Sequence, residues 1–264
     1  MRIVVCTKEV LDPDAVNNYA LEGRLEIGED GKSMTQTTIP RLMNAYDEQA
    51  IEAVLKLRDG GLDCSLAVVT VGENPAVMLK HAAALGADEV VHIEAADGEI
   101  DCHVAARLLA AYISSSGGAD LVLCGRQASD DDQGVTPALI GEILDMPVVT
   151  VARSVELDGS LLKVVRVTPD GDEAVEVDCP AVVTISNELG EPRYPTMANK
   201  MAARKKAITT VAANSLGMEA LSPRVRLTKQ FVPSVHGECE FIEGASPGDI
   251  AEALVARLRD DKVL

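Results

Sequence analysis

Strand-length hydrophobic runs alternate with helical patterns over the first 150 residues. Five runs are almost wholly apolar, as expected for strands that are buried on both faces of a sheet. They are residues 2–6, 64–72, 89–94, 119–125 and 146–152. The segments between them carry apolar residues at helical spacing, namely 47–61, 75–86, 101–115 and 136–144. This alternation predicts an α/β fold, a doubly wound and mostly parallel sheet with helices on both faces.

The pattern changes after about residue 153. Residues 154–167 read as two strands joined by a turn at Asp158–Gly159, and residues 173–186 add another strand that is broken by Pro180. Residues 186–245 contain few long apolar runs, which indicates either a flexible linker or an arm that orders on a partner. Ser246 and Pro247 open a C-terminal helix over 246–264. We therefore predict an α/β domain at 1–185 that includes the hairpin 154–178, then an extended arm and a terminal helix.

Composition limits the classes of partner that the protein is expected to bind. The net charge is −18, and only 2% of the residues are aromatic. Both values argue against nucleic acid as a partner, and the charge argues against anionic membranes. No charged leader opens the chain, and no apolar run approaches the ~18 residues that a membrane span requires. We therefore expect a cytoplasmic protein without direct membrane insertion.

Self-contained catalysis has little support in the sequence. The chain has no P-loop, no G-x-G-x-x-G after a strand, no G-x-S-x-G and no H-E-x-x-H. The six cysteines form no C-x-x-C, and the four histidines, at 81, 92, 103 and 236, share no spacing. We interpret these side chains as structural and expect neither a metal site nor a catalytic group.

A ligand site is nevertheless expected where parallel strands end. The carboxyl ends of the first, second and fourth strands are Cys6–Lys8, Val71–Gly72 and Cys124–Gly125. Glycine allows a ligand to approach the backbone, and the helix that starts near Thr136 offers N–H groups to an anion. Three carboxylates, Asp130–Asp132, would repel a phosphate. We therefore predict that they serve turn chemistry while the backbone makes the ligand contacts.

Four motifs in the same order resemble the small (beta) subunit of electron transfer flavoprotein. They are MRIVVCTKEVLD (1–12), MNAYDEQAIEAVLKL (43–57), CGRQASDDDQGVTP (124–137) and ELGEPRYPTMANKMAARKK (188–206). The similarity runs from residue 1 to about 206 and weakens in the tail. It implies a fold like that of the adenine nucleotide alpha-hydrolases.

The resemblance also implies a cofactor site. In this family the small subunit holds a structural AMP, while the large (alpha) subunit holds most of the redox FAD site. The positions that match the family's nucleotide contacts, or lie beside them, are Cys6, Asn44, Ala45, Tyr46, Asp47, Val71, Gly72, Gly125, Arg126, Gln127, Ala128, Asp130, Asp132, Gln133, Gly134, Val135 and Thr136. Val135 and Pro137 stand where the family commonly has Gln and Gly, which implies different phosphate contacts at these two positions.

The fourth motif resembles the family's recognition loop, so the arm at 186–245 is expected to dock partners and to wrap the large subunit. The implied contacts are Arg193, Tyr194, Thr196, Met197 and Met201, with Met197 as the anchor in a flavin-dependent dehydrogenase. The alternative is that Met197 is the buried start of a short helix. The basic residues Lys200 and Arg204–Lys206 are either a steering patch or ordinary solvated surface.

Three functions remain open from the sequence. The first is a carrier subunit that takes electrons from dehydrogenases such as acyl-CoA dehydrogenases, as in fatty acid oxidation, and passes them to a quinone oxidoreductase or another acceptor. The second is an electron-bifurcating form, with a second FAD in place of AMP that reacts with NADH. The motif at 130–133, Asp-Asp-Asp-Gln, resembles the AMP type, whereas CGRQA and LSPRVRLTKQF resemble the bifurcating branch. The third is a free-standing adenine-nucleotide-binding module.

Overall fold

A nine-stranded sheet organises the chain in the computed structural model, which describes residues 1–95, 100–218, 221–232 and 239–264. The strands are β1 (Arg2–Thr7), β2 (Glu9–Leu11), β3 (Arg41–Met43), β4 (Ser65–Val71), β5 (Glu89–Glu94), β6 (Leu121–Gly125), β7 (Val148–Asp158), β8 (Leu161–Thr168), β9 (Gly171–Asp178), β10 (Ala181–Ile185) and β11 (Thr209–Ala212). The sheet order is β11-β5-β4-β1-β6-β10-β7-β8-β9, with β2 and β3 pairing separately. All neighbours from β11 to β7 are parallel, and β7, β8 and β9 are antiparallel.

Helices cover both faces of the sheet, α2 and α3 on one face and α4 and α5 on the other. The helices of the described residues are α1 (Pro13–Leu21), α2 (Ala45–Asp59), α3 (Ala76–Leu85), α4 (Cys102–Ser115), α5 (Thr136–Leu144), α6 (Met197–Lys205) and α7 (Pro247–Asp260). Successive residues of β1 point to opposite faces: Ile3 packs in the core with α2 and α3, and Val4 in the core with α4 and α5. Burial on both sides explains why these strands are continuously apolar. The predicted α/β class is confirmed.

The antiparallel part is longer than the predicted hairpin. β7 runs as one strand through the predicted boundary at residues 152–154, with irregular pairing to β10 and β8 near Val151. Val151 has a φ of 60°, which a β-branched residue adopts only where its surroundings compensate. Its N–H donates to Thr184 Oγ1 at 2.8 Å. The predicted strand at 173–186 is two strands, β9 and β10, and β10 inserts between β6 and β7.

Two segments that the sequence left irregular contain regular elements. α1 begins at Pro13 with Asp12 as its N-cap, a signal present in the sequence, but no side chain of α1 is buried. Within the predicted arm, α6 is a helix and β11 joins the sheet beside β5. Neither α6 nor β11 has enough apolar residues for the hydrophobic pattern to predict it.

Contacts divide the chain into two compact units, residues 1–230 and 231–264. The predicted boundary at 185 differs from this division, because α6 and β11 pack within the first unit. Within the second unit, Ser246 caps α7 and Arg257 pairs with Glu240 at 3.2 Å. Residues 219, 220 and 233–238 of the predicted arm, including His236, lie outside the described residues. In the described ranges, no helix has the length and apolar character to cross a membrane.

Candidate functional site

Asp47 joins the ends of two strands. It lies in the first turn of α2 and is only 5% exposed. Its Oδ2 accepts the backbone N–H of Lys8 at 2.8 Å, and its Oδ1 accepts the backbone N–H of Gly125 at 2.9 Å. Burial raises the pKa of Asp47 to about 7, although the two N–H donors and Asn44 favour the ionised form. Through this one side chain, α2 fixes the carboxyl ends of β1 and β6 relative to each other.

Asn44, immediately before α2, holds the loop that follows β6. It is 1% exposed. Its Nδ2 donates to the carbonyl of Gln127 at 2.8 Å, and its Oδ1 accepts the N–H of Ser129 at 3.3 Å. Asn44 and Asp47 therefore attach residues 125–129 to α2, although more than 75 residues of sequence separate them.

Gly125 is required by the close approach of α2. A Cβ at this position would lie 2.4 Å from Asp47 Oδ1 and 2.6 Å from Tyr46 Cβ. The next residue, Arg126, places its guanidinium 5.5 Å from the centre of the Tyr46 ring, and its Nη1 donates to Ser186 Oγ at 3.3 Å. Ser186 follows β10, so the inserted strand also contributes to the site. The sequence singled out Gly125, Tyr46 and Arg126 but not Ser186.

The three aspartates are paired by Lys8 and by Gln127. Lys8 Nζ contacts Asp130 Oδ1 at 2.7 Å and Asp131 Oδ2 at 3.1 Å. Burial lowers the pKa of Lys8, but the hydrogen bonds and charges of these aspartates outweigh it, and the pKa lies above the ordinary value. Asp132 has a φ of 51° and accepts from Gln127 Nε2 at 2.7 Å. The bond between Gln127 and Asp132 is local, as turn chemistry requires, whereas the salt bridges to Lys8 are long-range contacts that the turn prediction did not include. In the ranges that the structure covers, no group of three metal-binding side chains occurs.

Lys8 is, like Ser186, a residue at this edge whose side chain the sequence did not place in the candidate site. It directly follows β1, at a strand end that the sequence had marked, but nothing local identifies its partners. Its salt bridges reach more than 120 residues along the chain. They neutralise part of the loop's negative charge beside the expected ligand position.

The other predicted ligand positions lie at the same carboxyl edge. Cys6 is buried in register with Cys124 on β6, where its hydrogen bond and burial raise the pKa of Cys124. Val71 ends β4, and the carbonyl of Gly72 lies 2.6 Å from His92 Nε2, which must donate. The loop that follows β6 ends at Gly134, which has a φ of 62°. Helix α5 then begins at Thr136 without a side-chain cap.

The remaining members of the predicted set are backbone positions. Ala45 and Ala128 carry no side-chain polar group, Gln133 donates its N–H to Asp131 Oδ1 at 3.2 Å, and Val135 is 40% exposed. The structure therefore brings the predicted residues to one end of the parallel sheet, and most of what they offer there is backbone.

The predicted docking residues lie in α6 and in the segment just before it. Tyr194, Met197 and Met201 are 93%, 74% and 53% exposed. Met197 does start a helix, but the alternative that it is buried is wrong. Thr196 is the N-cap of α6, and Arg193 is paired with Glu52 and Asp59.

Comparisons with known proteins identify the family of the whole chain. The family model of the electron transfer flavoprotein domain matches residues 34–216. The chain is 31% identical to subunit CarD of the caffeyl-CoA reductase–Etf complex of Acetobacterium woodii, over the full length of both. It is 30% identical to the acryloyl-CoA reductase electron transfer subunit gamma of Anaerotignum propionicum, also over both full lengths. It is 32% identical to the human electron transfer flavoprotein subunit beta, over 98% of this chain and 97% of that protein.

Proposed function

Because the chain belongs to the electron transfer flavoprotein family, as a small subunit of the beta type, we propose that it pairs with a large (alpha) subunit that holds most of the FAD site. This chain binds AMP at the carboxyl ends of β1, β4 and β6. The heterodimer accepts electrons from a flavin-dependent dehydrogenase and passes them to a quinone oxidoreductase or another acceptor, in the cytoplasm. The chain is an electron-transfer subunit and not a self-contained catalyst.

The observation that supports AMP binding is that residues of α2 and the residue before it hold the loop at 125–136. Asn44 and Asp47 hold its first residues, and Gly125 leaves no side chain between the loop and α2. Since Lys8, Gln127 and the loop's own backbone already contact the aspartates, a phosphate would meet mainly backbone N–H groups. This arrangement supports an adenine nucleotide of modest charge.

A second function is favoured by the relatives. Two subunits named after acyl-CoA reductase complexes align over their whole lengths. In an electron-bifurcating complex, the same loop would hold a second FAD that exchanges a hydride with NADH.

The free-standing module has less support, because the exposed Tyr194, Met197 and Met201 form a surface that a monomer does not need. That alternative requires a stable monomer that binds nucleotide and contains no flavin after co-expression with a large subunit.

The test is the cofactor content of the purified heterodimer. After denaturation, AMP and FAD are quantified per heterodimer by chromatography. One FAD and one AMP would support the single-flavin carrier. Two FAD and no AMP, together with bleaching of the flavin absorbance by NADH, would replace it with the bifurcating form.

A further inference from the structure

Helix α6 packs against α3 but presents its two methionine side chains to solvent. Met197 and Met201 lie on one exposed face, and Ala203 is the only residue of α6 that is buried. A single buried alanine contributes little apolar burial to a nine-residue helix. Polar contacts at the two ends of α6 therefore add to its packing on α3 in fixing its position.

At the amino-terminal end, Arg193 binds two acidic side chains of α2. Its Nε and Nη2 contact Glu52 Oε2 and Oε1 at 2.8 and 2.9 Å, and its backbone N–H donates to Glu52 Oε2 at 3.1 Å. A further bond of 2.7 Å reaches Asp59 Oδ2. The Glu52 side chain is only 6% exposed, and bidentate Arg–carboxylate geometry is strongly directional. This pair fixes the chain four residues before Met197.

At the carboxyl-terminal end, Lys80 of α3 binds α6. Its Nζ donates to the carbonyl of Arg204 at 3.1 Å and to the carbonyl of Lys206. The last carbonyls of a helix have no partner within the helix, so an ammonium group that binds two of them secures its end. The contact joins α3 to the end of α6, so it fixes the carboxyl-terminal end of the helix.

We infer that Lys80 and the Glu52–Arg193 pair are positioning residues, which hold Met197 and Met201 in the orientation that docks on a partner flavoprotein. The inference rests on the proposed docking role of α6. A pre-oriented helix loses less conformational freedom on binding, so the clamps act on affinity for the partner and not on the flavin chemistry. Their loss raises KM for the carrier and leaves kcat unchanged.

The experiment uses the purified heterodimer with the dehydrogenase that reduces it fastest in a panel of flavin-dependent acyl-CoA dehydrogenases. Lys80→Met and Glu52→Gln are expected to raise KM for the heterodimer about fivefold to tenfold, with kcat and FAD content within about twofold of wild type. Lys80→Arg, which can still donate to both carbonyls, is expected to restore KM. Lys163→Met, at an exposed lysine of β8, is the matched control.

Met197→Ala separates failure of the inference from failure of the docking proposal. If Met197→Ala raises KM while Lys80→Met and Glu52→Gln do not, the clamps are not positioning residues and α6 still docks. If Met197→Ala leaves KM unchanged, docking by α6 is itself wrong and the inference falls with it.

Hydrogen exchange shows whether the clamp variants act locally. Exchange that accelerates only in residues 193–206 is the expected result. Faster exchange throughout residues 1–218 would mean general destabilisation and would overturn the inference.

Discussion

At the scale of the single residue, Asp47 decides how the ligand edge of the sheet is assembled. One carboxylate binds the backbone after β1 and the backbone at the end of β6, and it does so from the first turn of α2. The cost of removing this group from water is large, since its pKa reaches about 7. Asp47 therefore titrates near neutral pH, and the stability of the site should depend on pH.

We expect the free energy of unfolding of the wild-type chain, measured relative to Asp47→Asn, to fall as pH rises. The pKa of Asp47 is above its ordinary value of 3.8, so the folded state retains a proton that the unfolded state has lost. This contribution is complete below pH 3.8 and disappears as pH rises through about 7. Between about pH 5.5 and 8, the loss should be about 2 kcal/mol, because one pKa unit corresponds to about 1.4 kcal/mol.

The measurement is urea unfolding of the nucleotide-free chain at several pH values. Taking the difference between wild type and variant cancels the other titrating groups. A difference that does not change with pH would show that Asp47 stays ionised in the folded protein.

Gly125 gives a second prediction at this scale. Gly125→Ala should lower the free energy of unfolding by about 1–3 kcal/mol, because the added methyl overlaps Asp47 and Tyr46 in a packed site. Gly72→Ala is the control, since a Cβ there has no neighbour within 4 Å. Neither glycine has a positive φ, so the comparison tests space alone. Equal thermal unfolding midpoints for the two variants would contradict the required close approach.

At the scale of the element, the loop at 125–136 is held at its amino-terminal end and closed upon itself. α2 holds the first residues, the N–H of Asp132 donates to the carbonyl of Ala128 at 2.9 Å, and Gly134 lets the chain turn into α5. The positive φ of Asp132 suits Asp or Asn better than other side chains. The conformation of the loop thus depends on a few hydrogen bonds and on the backbone conformations of Asp132 and Gly134.

Asp132→Lys should reduce the nucleotide that co-purifies with the heterodimer by about fivefold, because it loses the Gln127 bond and strains the backbone by about 1–2 kcal/mol. Asp132→Asn keeps both features and should retain nucleotide. The amount released on denaturation is the measurement. Normal content in the lysine variant would reject this loop as the nucleotide site.

At the scale of the whole molecule, charge is distributed unevenly. The chain carries −18 overall, yet Lys200, Arg204, Lys205 and Lys206 lie together on and after α6. A local cationic patch on an anionic protein directs an acidic partner to one surface and disfavours other encounters. It lies beside the exposed Met197, so steering and docking would use the same surface.

Association of the heterodimer with its dehydrogenase should therefore slow with salt, by about tenfold between about 20 and 300 mM, as screening shortens the reach of the patch. Replacing Lys200 and Lys205 with Glu should flatten this dependence. The control replaces Lys163 and Lys262 with Glu and changes the net charge by the same amount. Stopped-flow association rates provide the measurement, and identical salt slopes for the two double variants would exclude local steering.

The sequence by itself determined the α/β class and the region of the site. Strands buried on both faces must be continuously apolar, and parallel strands place their carboxyl ends at one edge, so Cys6, Gly72 and Gly125 could be located together. The aspartate run could be assigned to turn chemistry because like charges beside a phosphate repel it.

Tertiary structure alone decided which distant residues meet. Asp47 binds Gly125, Lys8 binds Asp130, and Lys80 binds the end of α6, over separations of 78 to 126 residues. The placement of β10 between β6 and β7 was equally hidden, because an apolar run predicts burial but not its neighbours. α6 and α1 bury almost no apolar surface, so hydrophobic periodicity carried no signal for them. The local hydrophobic pattern indicates how a residue is buried. Contacts between residues that are far apart in sequence form only when the whole chain folds.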